Sequence, residues 1–170
     1  VAYRLYVHST STSTPVEGLF FARSDADNAL IATTGNWLSD FRFHHSQIEF
    51  DATNEDVNLK VYNPEALAEL HATPSTGAIP SSIVSPCFSS HDEAAHFLKY
   101  RPLGLAPGPK ALRLVEVFRD ETAWQETPLT VRTARFPFFE KFGLHELELA
   151  TQVAPIDYRW RLGNRIALNT

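Results

Sequence analysis

The fold is decided by residues 20–49, which read FFARSDADNALIATTGNWLSDFRFHHSQIE. An apolar run, a short acidic turn, an apolar and Thr-rich segment and a second apolar–polar alternation follow one another without a break. Ser24 or Asp25 can accept hydrogen bonds from the free N–H groups that begin a helix, and Gly35 with Asn36 would end it. The stretch therefore predicts a strand, a helix and a second strand in that order.

Alternation with a period of two predicts further strands on both sides of this stretch. Tyr3, Leu5 and Val7 alternate with Arg4, Tyr6 and His8, and residues 41–51 carry mixed side chains on both faces. The remaining predicted strands cover 18–23, 56–62, 112–118, 129–136, 144–153 and 156–166. Short helices are predicted over EALAELHA (65–72) and after Ser90, whereas LGLAPGPK (103–110) is expected to be a loop. A chain rich in strands, with no linker, predicts a single antiparallel-rich barrel with a few short helices.

The length and composition fit one soluble globular domain. The chain has 170 residues, 44% of them apolar, a formal net charge of -5 and a pI near 5.8. This charge argues against nucleic acid as a partner, because phosphate binding normally needs a basic face. No apolar run approaches the ~20 residues of a transmembrane helix. The single Cys87 cannot form an intramolecular disulfide, and we expect it to be a buried, inert thiol.

The first residues indicate that something precedes them in the natural protein. The sequence contains no methionine and begins at Val1 in the middle of an alternating pattern. Removal of a targeting peptide and simple trimming both fit this pattern. The expectation is an intracellular protein, organellar if a targeting peptide was removed.

Four ordered segments carry a resemblance to a known family. They read GLFFARSDADNALIATTGNWLSDFRFHHSQIEF (18–50), HFLKYRPLGLAP (96–107), ETAWQETPLTVRTARF (121–136) and ELATQVAPIDYRWRLGNRI (148–166). Together they resemble the YqjF-like (DUF2071) family over nearly the whole chain. The resemblance implies one domain over 1–170 with the acetoacetate-decarboxylase-like fold, a bent antiparallel β-barrel with a central cavity. It implies no established reaction.

The lysines depart from the pattern of the decarboxylase branch. That branch uses a lysine kept neutral by a neighbouring cation, which attacks a ketone to form a Schiff base. None of the four lysines here lies in a Lys–Lys pair. Lys99 comes nearest, because Arg101 and two aromatic residues flank it, but a solvated lysine at a helix C-terminus, where the helix dipole favours a cation, is the commoner explanation. No catalytic residue is assigned beyond this candidate.

The histidines do not form a recognisable metal site. His44 and His45 are adjacent on a predicted strand and must point to opposite faces, so they cannot jointly bind one ion without a bulge. No HExxH motif is present. We therefore predict neither a metal nor a cofactor, and we expect one of the two histidines to line the barrel interior.

Three functions remain open. The first is a barrel that binds a small carboxylate or carbonyl compound, with ligand-binding residues Arg42, His44, His45, Tyr100 and Arg132. The second is an accessory subunit with protein partners in a larger assembly, favoured if the aromatic segment RFPFFEKFG (135–143) is exposed rather than part of the core. The third is a Schiff-base decarboxylase or lyase that works through Lys99.

Overall fold

The computed structural model describes residues 1–10, 12, 15–75, 87–98, 103–108, 110–120, 122–147 and 149–168. In chain order its strands are β1 (Ala2–Ser9), β2 (Val16–Ala26), β3 (Phe43–His45), β4 (Gln47–Ala52), β5 (Val57–Tyr62), β6 (Ala68–Pro74), β7 (Leu103–Pro107), β8 (Ala111–Arg119), β9 (Gln125–Arg135), β10 (Thr151–Ala154) and β11 (Tyr158–Ala167). The helices in these residues are α1 (Ala29–Leu38), α2 (His91–Leu98) and α3 (Pro137–Glu140). The prediction of a mainly β chain with a few short helices is confirmed.

The chain forms two compact units from alternating segments. Unit 1 consists of Val1–Ser46, Arg101–Asp120 and Asp157–Thr170, and unit 2 of Gln47–Tyr100 and Glu121–Ile156. In unit 1 the strand order is β1-β2-β7-β8-β11, with β3 paired to the end of β2. β2 is parallel to β3 and β7, and the other pairs are antiparallel. The sheet is curled and open, and an isolated bridge joins Thr12 to Leu168.

The core of unit 1 contains a cluster of aromatic side chains. Phe21, Phe41, Ala106 and Val115 are buried together, and the ring of Phe43 packs against them. The rings of Phe21 and Phe41 meet edge to face with centroids 4.6 Å apart, an arrangement that aromatic pairs prefer. This cluster fixes β2, β7 and β8 against the segment that follows α1.

Helix α1 begins later than the sequence predicts. The side chain of Asn28, not of Ser24 or Asp25, accepts the hydrogen bonds from the N–H groups of Leu30 and Ile31, at 2.9 and 3.2 Å. Ser24 and Asp25 are instead buried in β2, where they pair with β3. The helix also continues beyond Asn36 to Leu38, because sheet pairing and packing decide its position more than local capping signals do.

Two contacts hold α1 on β3. A Cβ built on Gly35 would lie 2.5 Å from Cδ2 of Phe43, so only glycine lets that ring pack so closely. The amide of Asn36 donates to the carbonyl of Phe43 at 2.7 Å and accepts from its N–H at 2.6 Å. The side chain thus pairs with the strand as a neighbouring backbone would.

A second anchor lies just after the helix. Asp40 accepts hydrogen bonds from Nε of Arg113 at 2.9 Å and from Nη2 of Arg165 at 3.2 Å. Arg113 also donates to the carbonyl of Gly163 at 3.3 Å. The loop after α1 is therefore tied to β8 and β11 by charge-assisted bonds.

Unit 2 contains an antiparallel sheet of order β10-β9-β6-β5-β4. Val57, Val61, Ala68 and Ala72 are buried in it. The predicted helix over 65–72 is wrong: most of it is β6, which pairs with β5 on one side and β9 on the other. Two rows of backbone hydrogen bonds outweigh the helical tendency of a segment too short to be stable as an isolated helix.

Other predicted boundaries also change. Residues 41–51 form two strands, β3 and β4, which belong to different units and flank Ser46. β7 occupies residues predicted as a loop, and only the end of 144–153 is a strand, β10. The predicted cap of α2 is confirmed, since Oγ of Ser90 accepts from the N–H of Glu93 at 3.2 Å.

In the part of the chain that is described, no helix is long and apolar enough to cross a membrane.

Candidate functional site

A pocket of about 530 Å³ lies in unit 1, between the start of β1, the middle of β2, the second half of α1 and the segment 39–43. Its walls are mainly apolar, with Phe21, Phe41, Phe43 and Leu38 among the lining residues. Small-molecule sites typically have volumes of roughly 300 to 1,000 Å³ and a few polar groups in an apolar lining. The dimensions and the lining therefore match a ligand site.

A β-bulge determines which side chains reach this pocket. Tyr3 pairs with Arg23, but the next residue, Arg4, pairs with Phe21, so Ala22 is an extra residue on β2. Such bulges change the direction of neighbouring side chains. Arg4 consequently lies over the ring of Phe21, with Cζ 5.1 Å from the ring centroid, and it lines the pocket together with Ala2.

The guanidinium of Arg4 is incompletely satisfied. Its Nε is buried and has no hydrogen-bond partner among the described residues. A buried donor without a partner costs about 1–3 kcal/mol. The stacking on Phe21 holds the group in place, but it does not supply the missing acceptor.

The second charged group of the pocket, Asp25, is fully paired. Its side chain is 0% exposed, and that of Arg23 is 4% exposed. Arg23 donates from Nη2 to Oδ1 at 2.8 Å and from Nε to Oδ2 at 2.9 Å, while Oγ of Ser46 donates to Oδ1 at 2.6 Å. The serine, held by this bidentate pair, fixes the end of β3 to β2.

Tyr3 lies next to this ion pair and is 1% exposed. Burial raises the pKa of its phenol to about 12, with a further increase from the charge of Asp25 and an opposing effect from Arg23. The phenol therefore stays protonated at neutral pH, and it can act only as a neutral hydrogen-bonding group.

Three of the predicted ligand-binding residues, Arg42, His44 and His45, belong to unit 1 but do not line the pocket. Arg42 is exposed in the turn before β3 and has a φ of 52°. His44 is half-buried and His45 exposed on β3, and neither lines the pocket. Arg132 is exposed on β9 in unit 2. Tyr100 lies outside the described residues.

The catalytic candidate is not tested by the described residues. Lys99, the Schiff-base candidate, lies outside the described residues. Lys60 is on β5, half-exposed, with Nζ 3.7 Å from Oε1 of Glu69. In the described ranges, no group of three His, Cys, Asp or Glu side chains could hold a metal ion.

Sequence reasoning missed Arg4, Arg23 and Asp25. The sequence placed Arg4 on the face of β1 opposite Tyr3 and Leu5 but gave it no role, and it predicted Asp25 as a helix cap. The available signal was the spacing of Arg23 and Asp25, since residues i and i+2 lie on the same face of a strand. Two opposite charges so placed in an apolar strand indicate a buried pair.

Two apolar surfaces are also relevant. Helix α1 exposes Leu30 by 70%, Ile31 by 52%, Trp37 by 84% and Leu38 by 62%, and its ten residues include no charged side chain. Around α3, the ring of Phe138 packs against those of Phe139 and Phe142, each 5.7 Å away, and Phe142 is 49% exposed. Phe136, Phe138 and Phe139 are half-buried, so this segment is neither fully core nor fully exposed.

Cys87 is exposed, contrary to the prediction of a buried thiol.

Comparisons with protein-family models, with curated proteins and with solved structures found no match to the chain. The family resemblance and the single-domain assignment therefore stay predictions.

Proposed function

We propose that the chain is a small-molecule-binding protein, and that the pocket of unit 1 takes a compact, mainly apolar compound with a carboxylate or carbonyl oxygen. The observation that carries the proposal is that Arg4 lines an apolar pocket while its buried Nε has no hydrogen-bond partner among the described residues. An oxygen acceptor on a ligand would remove the cost of that unsatisfied donor. The aromatic walls would contribute by burial of apolar surface.

We place this pocket in a bent antiparallel barrel of the acetoacetate-decarboxylase-like type, as the YqjF-like resemblance implies. The curled sheet of unit 1 supports this assignment. The bridge between Thr12 and Leu168 supports it further, because it links the chain after β1 to the chain after β11, the two edge strands of the sheet. Arg42, His44 and His45 do not line this pocket, so the proposal rests on Arg4 instead of on these residues.

A ligand screen on a blocked pocket tests the proposal. We expect a panel of small carboxylates, ketones and their neutral analogues to include compounds that bind the full chain, as measured by saturation-transfer NMR. Ala2→Phe should abolish this binding, because the side chain at position 2 lines the pocket and is otherwise exposed. The matched control is Ala52→Phe, at an exposed position of β4 in unit 2. Absence of any binder, or equal binding to Ala2→Phe, would refute the proposal.

A second function is favoured by the surface of α1. Four large apolar side chains on one uncharged helix are unusual on a free surface, and contiguous apolar patches mark interaction sites. The accessory-subunit hypothesis predicts that the chain purified natively from its source elutes in a complex. Trp37→Ser with Leu30→Ser should release it, whereas Phe50→Ser, at a position 66% exposed in unit 2, should not. Elution of the unmodified chain at its own 19.1 kDa would contradict this function.

A further inference from the structure

The two charged side chains that line the pocket differ in their free binding capacity. A carboxylate has about four lone-pair positions, and Asp25 already accepts three hydrogen bonds, two from Arg23 and one from Ser46. The charge of Arg23 also cancels that of Asp25 within the same buried pair. Asp25 therefore has little left to offer a cationic ligand.

Arg4 is in the opposite situation. No carboxylate pairs with it among the described residues, and its Nε lacks any hydrogen bond there. No other charged side chain of the described residues lines the pocket. With Arg23 and Asp25 neutralising each other, Arg4 is the charged side chain of the described lining that has no countercharge. The α-ammonium of Val1 also lines the pocket, but it is engaged with the backbone carbonyl of Asp25 at 2.7 Å.

From this imbalance we infer that the pocket selects monocarboxylates with an apolar, preferably aromatic body, with Arg4 as the anchor of the carboxylate. The inference rests on the proposed function and specifies its ligand. A planar guanidinium matches the geometry of a carboxylate and can bind it through two parallel hydrogen bonds. Phe41 and Phe43 line the space left for the body of the ligand.

The same groups exclude two related classes of compound. The ammonium of an amino acid would lose its hydration and find the oxygens of Asp25 already occupied, so it would be buried without a partner. A second carboxylate would lose its hydration in an apolar wall, with no second unpaired cationic side chain of the described lining to compensate it. The pocket thus discriminates against amino acids and dicarboxylates, because their additional charged group would be buried without a partner.

Four probes of one shape test the inference on the unmodified full chain. They are 3-phenylpropionate, its neutral analogue 3-phenylpropanamide, L-phenylalanine, which adds an ammonium, and phenylsuccinate, which adds a carboxylate. By isothermal titration calorimetry we expect 3-phenylpropionate to bind at least tenfold more tightly than each of the other three. Equal affinity for the carboxylate and the amide, or for 3-phenylpropionate and L-phenylalanine, would overturn the inference.

Variants identify the anchor. Arg4→Gln should weaken 3-phenylpropionate at least tenfold and 3-phenylpropanamide much less, and the remaining binding of the amide shows that the pocket is still folded. Arg4→Lys should recover only part of the affinity, because an ammonium is a point charge without the planar fork. Arg161→Gln is the matched control, since Arg161 lies over Phe118 at 5.5 Å as Arg4 lies over Phe21, but it is paired with Glu116 and exposed.

The outcomes separate the two levels of the proposal. Unchanged 3-phenylpropionate binding in Arg4→Gln would refute the anchor and leave small-molecule binding intact. Failure of all four probes to bind, while another compound of the wider panel binds, would refute the inference alone. Absence of any binder in that panel, or binding that persists in Ala2→Phe, would refute the proposed function itself.

Discussion

Replacement of Asp25 by asparagine should destabilise unit 1 more than any exposed charge change. The amide keeps the shape of the carboxylate, but it loses the charge and turns an N–H₂ group towards the guanidinium of Arg23. Both side chains are almost completely buried, at 0% and 4% exposure. Removal of one partner of such a pair typically costs about 3–5 kcal/mol, because the other charge stays buried without compensation.

The free energy of unfolding is measured in urea. Hydrogen exchange in peptides from β2 and β3 is the probe, so that the signal comes from unit 1. Glu17→Gln is the control: its partner is His8, the two side chains are 79% and 55% exposed, and a loss of at most ~1 kcal/mol is expected. The double variant Arg23→Met, Asp25→Leu removes both charges and should cost less than Asp25→Asn alone. A loss below about 1 kcal/mol in Asp25→Asn, or a double variant as unstable as the sum of its single variants, would refute the reasoning.

Two further predictions concern the attachment of α1. Gly35→Ala should lower the melting temperature, because overpacking against the Phe43 ring costs about 1–3 kcal/mol and the helix gains only about 1 kcal/mol from alanine. In a Phe43→Ala background the same change should instead raise the melting temperature. A lower melting temperature in that background would contradict the packing argument. Burial raises the pKa of Asp40, but its bonds to two arginines of β8 and β11 outweigh this and hold the pKa below the ordinary value of 3.8. The stability from Asp40 is therefore present above about pH 4 and lost as the pH falls through the lowered folded-state pKa. Urea unfolding should show a penalty for Asp40→Asn at neutral pH that shrinks in acid, and a pH-independent penalty would be inconsistent with the ion pairs.

The sequence predicted the features that depend on near neighbours along the chain. The alternation of Tyr3, Leu5 and Val7 is local information, and it correctly placed β1. The segment 65–72 has helical residues, yet it is mostly strand, since pairing with β5 and β9 involves residues far away in sequence. β7 was missed for the same reason: Gly104 and Pro107 suggest a loop, but Leu105 and Ala106 are completely buried between β2 and β8.

The candidate site depends on register, and this explains why no motif indicated it. Alternation alone puts Arg4 on the face opposite Tyr3, but it says nothing about what that face meets. The extra residue Ala22 brings Arg4 opposite Phe21 rather than opposite Ala22 itself. A one-residue difference in pairing changes every side-chain neighbour along a strand pair. The unsatisfied Nε of Arg4 is thus a consequence of one bulge, and a ligand that accepts its hydrogen bond would give that bulge a functional reason.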